Sequence, residues 1–340
     1  MGERGRKPPV FIVGSPRSGT TLLRNLLSRH PNLAICGETR FYMDVYQRRW
    51  VFGDLNKPSN RLRLVERYLA TRRVQQLGVD LDGLKEKLLR EAGSYRELFQ
   101  CIMEYHADSQ GKARFGEKTP HHAFCTEILS EWYPGAAIIH LVRDPRDVVA
   151  SLEDMPWASE GVVNNALLWR LFNRAARRSS HRPGYLLVRY EALSAEPERE
   201  LRRICDHLSE DYAPCMLSQQ VPGGEPYSWP RSAEGPVTSS RQNQWRSRLS
   251  AADVALVEWI AKRDMPLYGC PLSGGKPSLA TISRGLALAA ASSIRGRIAQ
   301  LPYLWFYLLQ PTQLAKQEYW KYRRTWGRTA TYFRLESWNE

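Results

Sequence analysis

The chain has few cysteines, and those it has are scattered: six in 340 residues, at positions 36, 101, 125, 205, 215 and 270. None forms a Cys-x-x-Cys pair or a Cys/His spacing suited to a metal, which excludes a zinc ribbon and a dithiol redox motif. Reduced thiols in a cytoplasmic protein are the expected state. Uninterrupted apolar runs of about eighteen residues are missing, so no membrane-spanning helix is expected. The polar, basic stretch from Met1 to Pro9 runs straight into the first apolar segment and leaves no room for a signal peptide. Runs of five or six basic residues are also absent, although Lys and Arg total 49 against 35 Asp and Glu. A nucleic-acid-binding tail is therefore not expected, and the net charge of +14 points to nucleotides, anionic lipid or an acidic substrate. No internal repeat stands out.

What is present begins at Val10. An apolar run ends in Gly14-Ser-Pro-Arg-Ser-Gly19-Thr-Thr21 and then enters an amphipathic segment, Leu22 to Arg29. That order is strand, small-residue loop, helix. Backbone N–H groups at such a turn and helix start converge on one concavity and favour an anion. The spacing Gly14-x4-Gly19-Thr20-Thr21 is the nucleotide P-loop pattern with one change. The Lys that follows the second Gly in an ATPase is replaced by Thr20, and the loop's cation is Arg17. The loop is expected to hold a phosphate, but not the β/γ-phosphates of a nucleoside triphosphate.

Five strands are expected, at Val10–Val13, Leu33–Cys36, Ala113–Gly116, Ala137–Val142 and Tyr185–Val188, mostly followed by segments of helical period. Helices are expected at Ala123–Trp132, Asp147–Leu152, Val163–Ser180, Glu198–Leu208 and Ala252–Arg263. The alternation implies an α/β chain: a P-loop-type parallel sheet flanked by helices. A charge-rich helical insertion covers about 41–107. The segment Val221–Gln244, rich in Pro, Gly and Ser, is a candidate lid. From residue 271 to 340 the character shifts to a helical, basic and aromatic extension, so the catalytic domain is expected to span 8–270.

Ligands of a parallel sheet bind beyond the carboxyl ends of its strands. Here those ends carry Arg17 with Ser18 to Thr21, then Gly37-Glu38-Thr39-Arg40, then Glu117-Lys118-Thr119-Pro120, then Arg143-Asp144-Pro145-Arg146-Asp147, and last Arg189-Tyr190-Glu191. Every end is charged, and together they supply several cations and one early carboxylate. Each piece also has a plainer reading. Glu38 with Arg40 could be a surface ion pair, and Lys118 simply solvated. Asp144 and Pro145 make a helix start as N-cap and N1 residues, which still leaves Arg143 for the ligand edge. His121 and His122 read as capping or surface residues. The tryptophans at 157, 169, 229 and 245 read as packing.

Taken together, these residues resemble the PAPS-dependent sulfotransferases, which use 3′-phosphoadenosine 5′-phosphosulfate as sulfo donor. The likeness covers about residues 8 to 265. Pro16-Arg17-Ser18-Gly19-Thr20-Thr21 looks like the family's 5′-phosphosulfate loop. Leu141-Val142-Arg143-Asp144-Pro145-Arg146-Asp147, with Ser151 eight residues beyond Arg143, looks like its 3′-phosphate motif. Gly116-Glu117-Lys118-Thr119-Pro120 and Val188-Arg189-Tyr190-Glu191 are similar to motifs of its bacterial members. Cys36-Gly37-Glu38-Thr39-Arg40 resembles the branch that includes the tyrosylprotein sulfotransferases. No anchor is expected before the first strand, unlike in that branch, no Cys stands beside Lys118, and 271–340 has no assigned counterpart.

The resemblance implies the sulfotransferase fold and sulfo transfer to an acceptor hydroxyl, with PAPS as co-substrate and no metal. It implies Glu38 as general base, Arg40 as a residue that orients Glu38 or touches the acceptor, and Arg17 and Lys118 as neutralisers of the leaving charge. Ser18, Gly19, Thr20 and Thr21 would hold the 5′-phosphate, Arg143 and Ser151 the 3′-phosphate, and Tyr190 would lie near the nucleotide. Ser239, Ser240 and Arg241 would close over the 3′-phosphate. The acceptor class stays open among a tyrosine or peptide, a carbohydrate, a lipid and a phenolic metabolite. Homodimers are common in the family. The basic aromatic C-terminal segment suits either a membrane surface or packing on the catalytic domain. Two rival readings stand beside this one. A P-loop kinase or NTPase would need Lys after Gly19 and a metal-holding Asp at another strand end, where this chain has Arg143. A non-catalytic nucleotide-binding protein of the same fold would be expected to have lost Arg17, Glu38, Lys118, Arg143 or Ser151, and all five are present.

Overall fold

The computed structural model describes residues 6–155, 158, 161–218 and 237–299. Trp157, Trp229, residues 221–236 of the expected lid and the basic aromatic segment from 300 onward lie outside them. Five parallel strands form one sheet: β1 (Val10–Gly14), β2 (Leu33–Cys36), β3 (Arg114–Lys118), β4 (Ala137–Val142) and β5 (Tyr185–Arg189), in the order β2-β3-β1-β4-β5. The third strand runs two residues further than the sequence suggests, so Lys118 is its last residue. Between strands lie α1 (Thr20–Ser28), then α2 (Phe41–Asp44), α3 (Arg49–Phe52), α4 (Pro58–Leu69), α5 (Arg72–Gln75), α6 (Leu81–Glu91) and α7 (Tyr95–Ser109) of the insertion. They are followed by α8 (Thr126–Trp132), α9 (Pro145–Leu152), α10 (Val162–Arg177), α11 (Tyr190–Ala195) and α12 (Pro197–Leu208). The last are α13 (Trp245–Arg248), α14 (Ala251–Ala261) and α15 (Leu279–Ala299). The expected helix from Ala123 is broken, because Pro120–Phe124 forms a 3-10 turn before α8 begins.

The chain divides into two compact units, one of residues 1–143 and 171–242, the other of 144–170 and 243–340. The first unit holds the whole sheet. Alternation along β1 sends its residues to opposite faces. On one face Val10 and Ile12 pack with Leu33, Ile35, Ile139, Leu141 and Val188 of the neighbouring strands, beneath Leu23, Leu26 and Leu27 of α1 and Leu201, Ile204 and Leu208 of α12. On the other, the Phe11 ring lies 6.2 Å from that of Phe99 on α7 and 5.7 Å from that of Tyr133. Helices thus cover both faces, and truncating a fully buried leucine such as Leu26 to Ala would cost about 2–5 kcal/mol.

The insertion is anchored by local signals. Helix α7 starts with a capping box in which Ser94 accepts from the Glu97 N–H while the Glu97 side chain reaches back. Phe41 stacks on Phe99 with centroids 4.8 Å apart, tying the insertion's first helix to α7.

In the second unit, Val149, Ala150, Val163, Ala166, Trp245, Val254, Leu256 and Val257 form a separate core. Asp144 caps α9 by accepting from the Arg146 N–H, with Pro145 at N1, as the sequence suggests. Arg146 is held between Asp144 and the buried Glu258 at 2.6 and 2.7 Å. Its guanidinium lies 4.2 Å from the centre of the Trp245 ring, and Trp169 is fully buried against Tyr268, so Trp169 and Trp245 serve packing, as expected of them.

Candidate active site

The strand register brings the expected residues to one edge of the sheet. Ile12 pairs with Lys118, Cys36 with Glu117, Gly14 with Leu141 and Val142 with Arg189. The segments that follow β2, β1, β4 and β5, together with the last residue of β3, therefore emerge side by side at the carboxyl end.

The loop after β1 is built for close approach. Gly14 has φ +149°, and a Cβ there would stand 2.2 Å from the Leu141 carbonyl oxygen on β4. Gly19, the N-cap of α1, has φ +93°, and a Cβ there would stand 2.5 Å from the Tyr190 ring. Both are backbone states that glycine adopts without the Cβ penalty. Arg17 is held at φ +68°, an uncommon state for a residue with a side chain. The first turn of α1 carries no acidic residue and no side-chain cap, so its N–H groups have no partner of the usual capping kind. Ser18 is fully buried and its Oγ has no hydrogen-bond partner among the described residues. A buried hydroxyl in that state is costly, and a phosphate oxygen would satisfy it together with the turn's N–H groups. Thr20 and Thr21 open the same helix.

Arg143 leaves β4 toward this loop. Its Nη1 donates to the Arg17 carbonyl at 3.3 Å and its Nη2 to the carbonyl of Arg241. The guanidinium lies 4.6 Å from the centre of the Tyr190 ring, a cation–π arrangement that fixes its direction. Tyr190 begins α11 right after β5 and in turn backs Gly19. Ser239–Arg241 form a short 3-10 turn, and Gln242 just beyond it bonds the Glu191 carbonyl and Ser194 Oγ of α11. The structure thus assembles Arg17, Ser18, Gly19, Arg143, Tyr190 and Arg241. Ser151 lies on the last turn of α9, in the second unit.

Glu38 follows β2. Lys118 Nζ stands 2.7 Å from its Oε1, and Arg73 Nη1 stands 3.4 Å from its Oε2. Burial raises the Glu38 carboxyl pKa, but the charges of Lys118 and Arg73 outweigh it and hold the group down at about 2. Lys118 itself is almost wholly buried, so its ammonium is neither solvated nor idle. Arg40, at φ +50°, pairs with Asp44 at 3.4 Å. Lys118 and Arg73 are both cations in direct contact with Glu38.

Sequence reasoning passed over three residues here. Arg73 sits on α5 of the insertion among many other basic residues, and no pattern sets it apart. Glu117 and His122 are fully buried, with His122 Nδ1 2.9 Å from Glu117 Oε2. His122 is thus not the surface or capping residue its neighbourhood suggests. Glu117 could have been noticed as a charge inside a strand, since a buried charge needs partners. His121, beside it, sits edge-on to Phe172 with centroids 5.0 Å apart, and burial pushes its pKa down to about 3.

This geometry invites comparison with known proteins. A sequence profile described as the sulfotransferase family matches residues 8–214. Protein-tyrosine sulfotransferase A of Caenorhabditis elegans is 28% identical over 215 residues, which is 61% of this chain and 51% of the worm protein. The chain thus spans about half the length of that relative. Among solved structures, the sulfotransferase domain from the curacin biosynthetic pathway superposes with a TM-score of 0.54 at 20% identity, covering 78% of this chain and all of that domain. The sulfotransferase domain from the Synechococcus PCC 7002 olefin synthase does so at 0.50 and 23%, covering 77% of this chain and 98% of the domain. The two superpositions show a shared fold. Because the family profile spans more than half of the 340 residues, this chain belongs to the sulfotransferase family.

Proposed function

We propose that the chain moves the sulfo group of 3′-phosphoadenosine 5′-phosphosulfate to an acceptor hydroxyl, with Glu38 as general base. The observation that carries this reading is the 2.7 Å pair of Lys118 and Glu38 at the same sheet edge as an anion-ready loop. The donor supplies an activated sulfo group on a bridging oxygen next to the 5′-phosphate. In the transfer, the bond from sulfur to that oxygen breaks, the bond from sulfur to the acceptor oxygen forms, and the acceptor's proton passes to Glu38.

The protein's part is to position and to neutralise. The residues present fit the donor. Ser18 Oγ and the first-turn N–H groups of α1 would donate to the 5′-phosphate, and Arg143, braced by Tyr190, would donate to the 3′-phosphate. Ser239, Ser240 and Arg241 would close on the same phosphate, and the family motif adds Ser151 as a further candidate for it. Glu38 is ionised at neutral pH and so ready to take a proton. While Lys118 holds it, however, it is a weak base. Its basicity rises as the Lys118 ammonium turns to the negative charge gathering on the leaving side, which couples proton removal to bond cleavage. Arg17 would add a second cation there, and Arg40 would orient Glu38 or touch the acceptor.

A tyrosine or peptide acceptor is favoured by the similarity to a protein-tyrosine sulfotransferase, and a carbohydrate, a lipid or a phenolic metabolite suits the same chemistry. The test is incubation of the chain with 35S-labelled donor and an extract of its own source cells. Label should move to a discrete product with the wild-type chain and not with Glu38→Gln. No transfer by the wild-type chain, or equal transfer by both, would end the proposal.

A further inference from the structure

Thr39, the residue after Glu38, is gripped at every polar atom by groups buried in the first unit. Its N–H and its Oγ1 both donate to Glu117 Oε1 at 3.0 Å. The same hydroxyl accepts the Phe41 N–H at 3.1 Å. Its carbonyl accepts from Tyr68 Oη on α4 at 2.9 Å, and burial pushes that phenol's pKa well up, so it stays a donor. Thr119 Oγ1 donates to Glu117 Oε1 as well and accepts from the Arg40 N–H at 3.4 Å. The far oxygen of Glu117 faces His122 at 2.9 Å.

Glu117 and Thr39 show no exposed surface to speak of, at 0% and 1%. A carboxyl group there is costly to desolvate, more than a core of plain hydrocarbon would be. That cost is met by three donors converging on one oxygen. The segment they fix carries Glu38 on one side and Arg40, in its left-handed state, on the other. Glu117 is also the immediate neighbour of Lys118 in β3, with its side chain sent to the opposite face. One buried carboxyl group therefore fastens both strand ends that present the Lys118–Glu38 pair.

We propose that Glu117, acting through Thr39, is the positioning residue that aims the Glu38 carboxylate at Lys118. It touches neither donor nor acceptor. It sets the direction in which the backbone delivers Glu38, and Tyr68, from the insertion, holds the same residue from the other side. The proposal rests on the assignment of Glu38 as the base, yet it can be tested without any turnover.

The test is a titration of the Glu38 carboxyl carbon by 13C NMR in the whole chain labelled at glutamate, the signal being identified by its loss in Glu38→Gln. Three groups around Glu38 enter its titration, Lys118 and Arg73 in contact and His121 nearby, and Arg40 acts on His121 in turn. Three variants are compared, Glu117→Gln, Thr39→Val and Thr39→Ser, with melting temperature and affinity for 3′,5′-adenosine bisphosphate measured alongside. The wild-type signal should titrate far below an ordinary glutamate. Thr39→Val and Glu117→Gln should move it up by about one unit or more, the scale for losing one cation in contact, with nucleotide affinity unchanged. Thr39→Ser, which keeps the hydroxyl, should bring it back.

Should Glu117→Gln fail to fold, Thr39→Val against Thr39→Ser still decides the matter. A signal that stays at the wild-type position in folded Thr39→Val would overturn the proposal, and so would an ordinary titration in the wild-type chain. Correct titrations with no sulfo transfer would sink the proposed function and leave the positioning intact.

Discussion

The Tyr190 ring occupies the space that a side chain on Gly19 would need: a Cβ placed there would stand 2.5 Å from Cδ2 and 2.9 Å from Cε2. The contact joins the glycine loop after β1 to the start of α11 after β5, and Arg143 lies on the same ring at 4.6 Å. Gly19→Ala should therefore both strain the loop, whose φ is +93°, and push Tyr190 off Arg143. A destabilisation of about 1–3 kcal/mol is expected, seen as a lower melting temperature, with weaker binding of 3′,5′-adenosine bisphosphate in calorimetry. Tyr190→Ala combined with Gly19→Ala should recover part of the melting loss, since the clash goes while the backbone strain remains.

Arg143 is expected to read the 3′-phosphate. Arg143→Ala should weaken binding of 3′,5′-adenosine bisphosphate by about 1.5–3 kcal/mol, the range for hydrogen bonds to a charged group. Binding of adenosine 5′-phosphate should hardly change, so the preference for the bisphosphate collapses. Calorimetric titration of both nucleotides checks this, and a preference kept by the variant would count against the assignment.

Glu38→Gln should lower turnover by about 10²–10⁴-fold, the usual contribution of a general base, while nucleotide affinity stays close to wild type. Lys118→Ala should also cost turnover, and in addition it should let the Glu38 carboxyl rise from about 2 toward its ordinary value. The two variants differ in that second reading, which a carboxyl titration reports.

Three histidines contribute to the response to acid: His121, whose pKa burial holds down at about 3, and two more. Burial lowers the pKa of His140, which bridges Tyr185 and Asn173, to about 4, and that of His106 to about 4. Both are neutral in the folded chain and take up protons on unfolding once pH falls below the unfolded value near 6.5. Stability should fall between about pH 6.5 and 4, at about 1.4 kcal/mol per pH unit for each histidine. The Glu38 loss comes at lower pH, from the ordinary carboxyl range down to about 2, because its folded pKa is depressed. Urea unfolding at several pH values checks the slope, and His140→Gln should reduce it by one proton's worth.

Much of this site could be read from the chain because its chemistry is local. A glycine at each end of the loop, Arg17 between them, and Asp144 with Pro145 at a helix start are short-range demands of backbone geometry, and short-range patterns record them. The strand ends could be listed for the same reason, and the parallel sheet then gathers them. What could not be read comes from packing. Arg73 reaches Glu38 only because the insertion brings its third and fourth helices, α4 and α5, back to the segment that follows β2. The burial of His122 depends on Phe99 in α7, with centroids 5.8 Å apart, and on Glu117 in β3. The sequence ends the third strand two residues early because its polar Glu117 and Lys118 look exposed, whereas the structure buries both, and Arg114 with them. Arg114 does so by bonding the Pro8 and Leu208 carbonyls and Glu210.

The most direct test is a crystal structure of the chain with 3′,5′-adenosine bisphosphate. The account predicts the 5′-phosphate on Ser18 and the first turn of α1, the 3′-phosphate on Arg143, and Lys118 and Glu38 facing the 5′ end. A nucleotide bound elsewhere, or one at this edge whose 3′-phosphate leaves Arg143 untouched, would contradict it.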